Sequence, residues 1–138
     1  MTRIVSFADG FTSASAPQVD GAVQENYIIL NNELAGALFT MDSSLNKTAF
    51  VNYELIRKND LESYTQNGSL IMAFDGTSWL LTEGNFQGDS MITQEFTTDP
   101  LSLILTLDAV TGVLTYRSGN MIGANYIGTF KLNIVRIS

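Results

Sequence analysis

The side chains able to do acid–base work in this chain are carboxylates: Asp42, Glu54, Asp60, Glu62, Asp75, Glu83, Asp89, Glu95, Asp99 and Asp108, preceded by Asp9, Asp20, Glu25 and Glu33. Two of them facing a cleft, about 5 to 9.5 Å apart, would suit glycoside hydrolysis. Nearly all fall in expected turns or at strand ends, where Asp and Glu serve as solvated turn formers. No catalytic residue is therefore assigned, and a carboxylate-dependent glycan hydrolase ranks third among the functional readings. The sequence has no His and no Cys. That removes imidazole bases, thiolate nucleophiles, disulfides and Cys-type zinc sites.

Two oxygen-rich loops invite a calcium reading, Asp75-Gly76-Thr77-Ser78 and Asn85-Phe86-Gln87-Gly88-Asp89-Ser90. Neither has the ligand spacing of a dedicated calcium loop, and hairpin turns explain both, so no metal ligand is assigned. A phosphate-cradling glycine loop is absent from the sequence, and no cofactor is expected.

Aromatic residues offer ligand chemistry of another kind. Trp79 follows a tight turn and could stack on a sugar ring or anchor a core; the core is the expectation. Tyr116 lies near, and Tyr126 and Asn120 within, the stretch 119–128, which is rich in Gly and Asn and could form a binding tip. Trp79, Tyr116, Asn120 and Tyr126 are thus the candidate ligand loop. Arg57 continues an apolar strand face, so it must either carry its charge out to solvent at the strand end or pair with a carboxylate such as Glu62. The first is expected.

These residues need elements to hold them, and the chain has 138 residues, enough for one domain. From residue 26 onward the apolar period is two. In 47–58, Ala49, Val51, Tyr53 and Leu55 share a face. Segments 69–74 and 77–82 flank Asp75-Gly76, a pair suited to a two-residue hairpin turn. A further strand is expected over 91–97, with a break at Asp99-Pro100. Leu101, Leu103, Leu105 and Leu107 alternate next. Asp108 to Gly112 then turns the chain, with Gly112 in a left-handed conformation, into 113–118, and the last strand covers 126–137. Residues 33–38 and 60–64 could each form one helical turn, but neither sustains an amphipathic helix. The fold class is all-β, an antiparallel β-sandwich or jelly-roll-like domain over 26–138.

Residues 1–25 differ. The stretch 12–21 is small and polar with Pro17 and Gly21, and without periodicity. Ile4, Val5, Phe7 and Phe11 precede it, more apolar bulk than a purely solvated tail uses. Two readings stand, a disordered terminus and an extended assembly arm lying on a neighbouring subunit, and these apolar side chains favour the arm. One positive charge and a broken apolar run at the N-terminus do not look like a signal peptide.

Only 15% of residues are charged and the formal net charge is −7. With scattered basic residues, that charge argues against a nucleic-acid partner. The sequence has no apolar stretch of membrane-spanning length, about 18 residues, so no membrane partner is expected.

The succession Val51-x-Tyr53-x-Leu55-x-Arg57, Gly68-Ser69-Leu70, Gly76-x-x-Trp79, Gly88-Asp89, Gly112-x-Leu114-x-Tyr116-x-Ser118 and Gly128-x-Phe130 resembles a β domain of tailed-bacteriophage virion proteins. These include small capsid decoration, or cement, proteins and parts of tail fibres and spikes. The similarity covers about residues 26 to 138; the segment between Gly88-Asp89 and Gly112 departs from the pattern. The resemblance implies a non-enzymatic sandwich, commonly trimeric, made in the host cytoplasm and resident in the virion. Its partners would be the major capsid protein or other virion proteins and further copies of itself. Head decoration is the expected role, and a tail-fibre or receptor-binding module recognising host glycan is the alternative.

Overall fold

The structure is a computed structural model that describes residues 19–92 and 99–138. Eight strands follow in order: β1 (Val23–Ile28), β2 (Gly36–Thr40), β3 (Thr48–Lys58), β4 (Ser63–Phe74), β5 (Trp79–Gln87), β6 (Leu103–Leu107), β7 (Val113–Ser118) and β8 (Ile127–Ile137). They form two antiparallel sheets, one ordered β1-β8-β3-β4-β5 and the other β2-β7-β6. No helix occurs among the described residues. The expected all-β sandwich is the observed architecture.

The centre of the larger sheet follows from alternation. Ala49, Val51, Tyr53 and Leu55 of β3 are buried. Beside them stand Phe130, Leu132 and Ile134 of β8 and Leu70 and Met72 of β4, also buried. Leu103, Leu105, Leu114 and Tyr116 of the smaller sheet complete the core. Such inward-facing rows from two sheets make a sandwich interior, and each alternate residue faces outward.

Some local expectations change. The turn after β4 spans residues 75–78, because Phe74 pairs with Trp79, so it is a four-residue loop and not a two-residue one. Asp75 Oδ1 accepts the N–H groups of Thr77 (2.9 Å) and Ser78 (2.8 Å), and Gly76 takes φ +99°. Those side-chain hydrogen bonds make an Asx-type turn cheaper than a tight primed turn. β4 begins at Ser63, so residues 60–64 form no helical turn, and Gly36–Thr40 is a strand where one was considered. Of the strand expected over 91–97, Met91 is buried and its carbonyl accepts Leu105 N (2.7 Å), while 93–98 lie outside the described residues.

Gly112 has the expected left-handed conformation, φ +73°. A Cβ there would also stand 2.4 Å from the Met41 carbonyl oxygen, so only glycine closes this turn. Pairing with β8 starts ahead of residue 26, since Val19 bridges Ile137 and β1 opens at Val23.

Three turns share one device. Asp42 accepts the Ser44 hydroxyl (2.7 Å) and N–H (2.9 Å). Asp108 accepts the Thr111 hydroxyl and N–H (both 2.7 Å). Asp75 does the same for its own turn with N–H donors alone. These bonds favour the ionised form and hold all three carboxyls below the ordinary 3.8: chiefly the Ser44 hydroxyl for Asp42, the Ser78 N–H for Asp75 and the Thr111 hydroxyl for Asp108. A folded-state value below the unfolded one adds stability that is complete above the unfolded value and is lost as pH falls through the folded one. Urea midpoints of the wild type should therefore fall more steeply below pH 3.8 than those of an Asp42→Asn, Asp75→Asn, Asp108→Asn variant. Parallel curves for the two proteins would show that the turns carry no such linkage.

Candidate functional site

At one end of the sandwich the connections 29–35, 59–62, 99–102 and 119–126 meet around Arg57. This residue was expected to reach solvent at the strand end. Instead it is 0% exposed, the largest of the fully buried side chains. β3 runs on through Lys58, with Gly128 of β8 on one side of Arg57 and Tyr64 of β4 on the other, so the side chain stays on the inner face.

All five guanidinium N–H groups find neutral oxygens. Nε donates to the Tyr126 hydroxyl (3.1 Å). One terminal nitrogen donates to the carbonyls of Pro100 (3.1 Å) and Leu101 (2.9 Å). The other donates to the Gly119 carbonyl (2.6 Å) and to Asn31 Oδ1 (3.1 Å). Glu62 is not among these partners. The planar fork matches five fixed acceptors, a pattern that a lysine ammonium with three donors cannot reproduce.

The acceptors are themselves held. Asn31 Oδ1 also accepts Met121 N (2.8 Å), while its Nδ2 donates to Asn120 Oδ1 (3.0 Å) and the Met121 carbonyl (3.1 Å). Gly119 lies so close to 99–100 that a Cβ would stand 2.7 Å from the Asp99 carbonyl carbon and the Pro100 nitrogen. Glycine lets that carbonyl reach the guanidinium. Nearby, the Ser118 hydroxyl donates to the Leu30 carbonyl (2.6 Å) and accepts Glu33 N (2.9 Å), and the Tyr116 hydroxyl accepts Leu30 N (2.9 Å). Burial raises the Tyr116 phenol above its ordinary value.

A second buried node lies one step along β4. The Gln66 amide donates to the Tyr53 hydroxyl (2.9 Å) and the Asp89 carbonyl (2.7 Å), and its oxygen accepts the hydroxyls of Tyr64 (2.7 Å) and Ser102 (2.6 Å). Burial pushes up both the Tyr53 and the Tyr64 phenols. Between them the two nodes hold residues 100–102.

The four candidate ligand residues part company here. Trp79 is 3% exposed and packs on Phe74, ring centroids 5.3 Å apart, so it is a core anchor with no free face. Tyr116 is equally buried. Asn120 and Tyr126 are half-buried and belong to the Arg57 network. Ile4, Val5, Phe7 and Phe11 lie outside the described residues.

What this end presents outward is apolar. Leu30, Leu34, Leu61 and Ile122 on its loops, with Ile28 and Ile127 on the adjoining outer face of the larger sheet, are 53% to 78% exposed. Asn59 joins two of these loops, donating to the Ile122 carbonyl (3.0 Å) and accepting Leu61 N (2.9 Å). Apolar groups shown together on a rigid frame mark an interaction surface. Sequence reasoning missed this surface because its members come from three separate segments, 28–34, 61 and 122–127.

Several carboxylates have local structural partners. Glu83 accepts the Ser90 hydroxyl and Met91 N, Asp60 accepts Asn125 Nδ2 (2.9 Å), Asp99 accepts Asn120 N (3.1 Å), and Glu25 stands 3.9 Å from Arg136. Among the described residues no group of three or more acidic side chains could hold a metal ion, and no helix is long and apolar enough to cross a membrane.

No family model matches the chain, and no curated protein matches it. Among solved structures, the chain is similar to the tailspike protein of Acinetobacter phage vB_ApiP_P1, with a TM-score of 0.40 and 13% identity. The alignment covers 97% of this chain and 24% of that one, so the chain spans about a quarter of the tailspike's length.

Replacing Arg57 should be far costlier than a surface change. Arg57→Leu strands four backbone and side-chain acceptors and the Tyr126 hydroxyl in a closed site, a loss of about 3 to 5 kcal/mol. Arg57→Lys recovers only part of it. Urea denaturation measures the loss, and hydrogen exchange should show 29–35 and 119–126 opening first. Loss of under about 1 kcal/mol in Arg57→Leu would mean that the loops hold their shape without the guanidinium.

Proposed function

We propose that the chain is a non-enzymatic structural protein of a tailed-bacteriophage virion, a decoration protein that binds the outer surface of the head as an oligomer. The observation that carries this reading is the apolar end built on Arg57. A buried cation with all five donors fixed makes the loops rigid before binding, so docking loses little ordering entropy. The aliphatic side chains it displays suit a dry protein contact better than a soluble ligand. The strand and turn succession that resembles phage virion domains points the same way, and a chain without His or Cys suits an inert assembly role.

A second reading rests on the outer face of the larger sheet. Gln24, Asn52, Glu54, Lys131 and Asn133 line a shallow depression of about 240 Å³ there. Amide, carboxylate and ammonium groups on paired rigid strands could hydrogen-bond a polyhydroxyl ligand, which favours a tail module recognising host glycan.

One experiment separates the two. A Leu61→Glu, Ile122→Glu variant should keep wild-type stability within about 0.5 kcal/mol yet bind purified phage heads at least about tenfold more weakly, read by co-sedimentation. An Asn52→Ala, Asn133→Ala variant should bind heads normally. Wild-type protein that ignores heads but coats host cells, and loses that on Asn52→Ala, Asn133→Ala, would replace decoration with receptor recognition.

A further inference from the structure

The larger sheet carries a second apolar surface at the end opposite Arg57. On its outer face Val135, Phe50 and Ile71 lie in one cross-strand row, and Ile137 and Leu80 lie in the next. Val19 adjoins Ile137 through a bridge. Phe50, Leu80 and Val19 are exposed, and the others half-buried. Outward positions of a one-side-solvated antiparallel sheet are ordinarily polar. The middle of this same face obeys that rule, with Gln24, Asn52 and Asn133 in one row.

The way the chain enters this surface argues for its occupant. Read backwards, β1 runs along β8 toward the C-terminus, and at Val19 it is level with Ile137. Val19, the first described residue, thus stands at the end of the sheet, beside the patch. The seven residues directly ahead of Val19, 12–18, contain no large apolar side chain. The bulky ones, Phe11 and Ile4, stand 8 and 15 residues ahead of it. Full extension would carry them about 26 to 54 Å away. From Val19 beside β8 to Leu80 on β5 the patch spans four strand spacings, about 19 Å.

We propose that the segment bearing Ile4, Val5, Phe7 and Phe11 docks on this outer-face patch of a second copy of the chain. The small polar residues 12–18 act as the spacer between one copy's sheet and the next copy's patch. The contact is heterologous, arm to patch, so copies join head to tail and close into a ring when the rotation permits. This goes beyond head attachment and holds without any head present.

The chain has no Cys, so an engineered pair reports the contact directly. A Phe11→Cys, Leu80→Cys variant of the full chain, oxidised and run without reductant, should give covalent dimers and larger species. Separately, Phe7→Asp, Phe11→Asp and Leu80→Glu proteins should each sediment as monomers, with association at least about tenfold weaker than wild type. Mixing the two should restore a one-to-one dimer, since one retains its patch and the other its arm. Circular dichroism and melting of the Leu80→Glu protein should match wild type, which excludes unfolding as the cause. An intrachain disulfide in the double-cysteine variant, a monomeric wild type, or a mixture that stays monomeric would each overturn the proposal. Failure here leaves head binding by Leu61 and Ile122 standing, because that surface lies at the other end of the sheet.

Discussion

The fold depends on the buried charge of Arg57, which forms no salt bridge among the described residues. Moving a guanidinium out of water costs several kcal/mol even after relaxation, and Arg57 meets that cost with carbonyl, amide and hydroxyl dipoles alone. Three of its five acceptors are backbone carbonyls, and backbone can be brought in only by folding the connections inward. The cation therefore dictates loop conformation. Asn31 follows β1, Pro100 and Leu101 precede β6, Gly119 follows β7 and Tyr126 precedes β8. One side chain from the larger sheet thus fixes the way into or out of strands in both sheets. Carbonyl dipoles in place of a counter-ion also leave no exposed salt bridge to be screened by ions.

Gln66 extends the same logic without a charge. Its amide uses both donors and accepts two hydroxyls, so a buried polar group becomes a four-way tie. The tie matters because the connection from β5 to β6 spans residues 88–102, and long connections tend to move. Ser102 is pulled toward Gln66 and Leu101 toward Arg57, while Met91 fills the core. At the described ends of this connection Met91 and Ser102 are buried.

What was legible in the sequence was whatever alternation alone decides. β3, β7 and β8 fall close to their expected bounds because each buries one face and leaves the other wet, so a register error of one residue would invert every side chain. β1 and β2 are short and half-exposed, and their pattern is weak for that reason. The turn at 75–78 was misjudged because Asp-Gly permits a tight turn, yet Asp75 finds more hydrogen bonds in a wider one. Arg57 was the informative failure. Its place in the row of Ala49, Val51, Tyr53 and Leu55 already said inward, and Gly128 across from it offered room. Expecting the charge to win over the alternation hid the site. Nothing in a linear sequence reveals that carbonyls from 100, 101 and 119 converge on one point.

The low share of charged residues bears on how such a surface avoids indiscriminate sticking. Apolar groups at both ends of one sheet would aggregate if they met freely. Here a polar band, Gln24, Asn52 and Asn133 with Glu54 and Lys131 beside them, separates the two ends, and like ends must approach with a net charge of −7 on each copy. That repulsion disfavours identical patches meeting face to face, while a segment such as 1–18, with one Arg against one Asp, approaches without it. In the proposed arm-to-patch docking the apolar partners carry little charge themselves, while the net charge of −7 on each copy weighs against contacts between like ends.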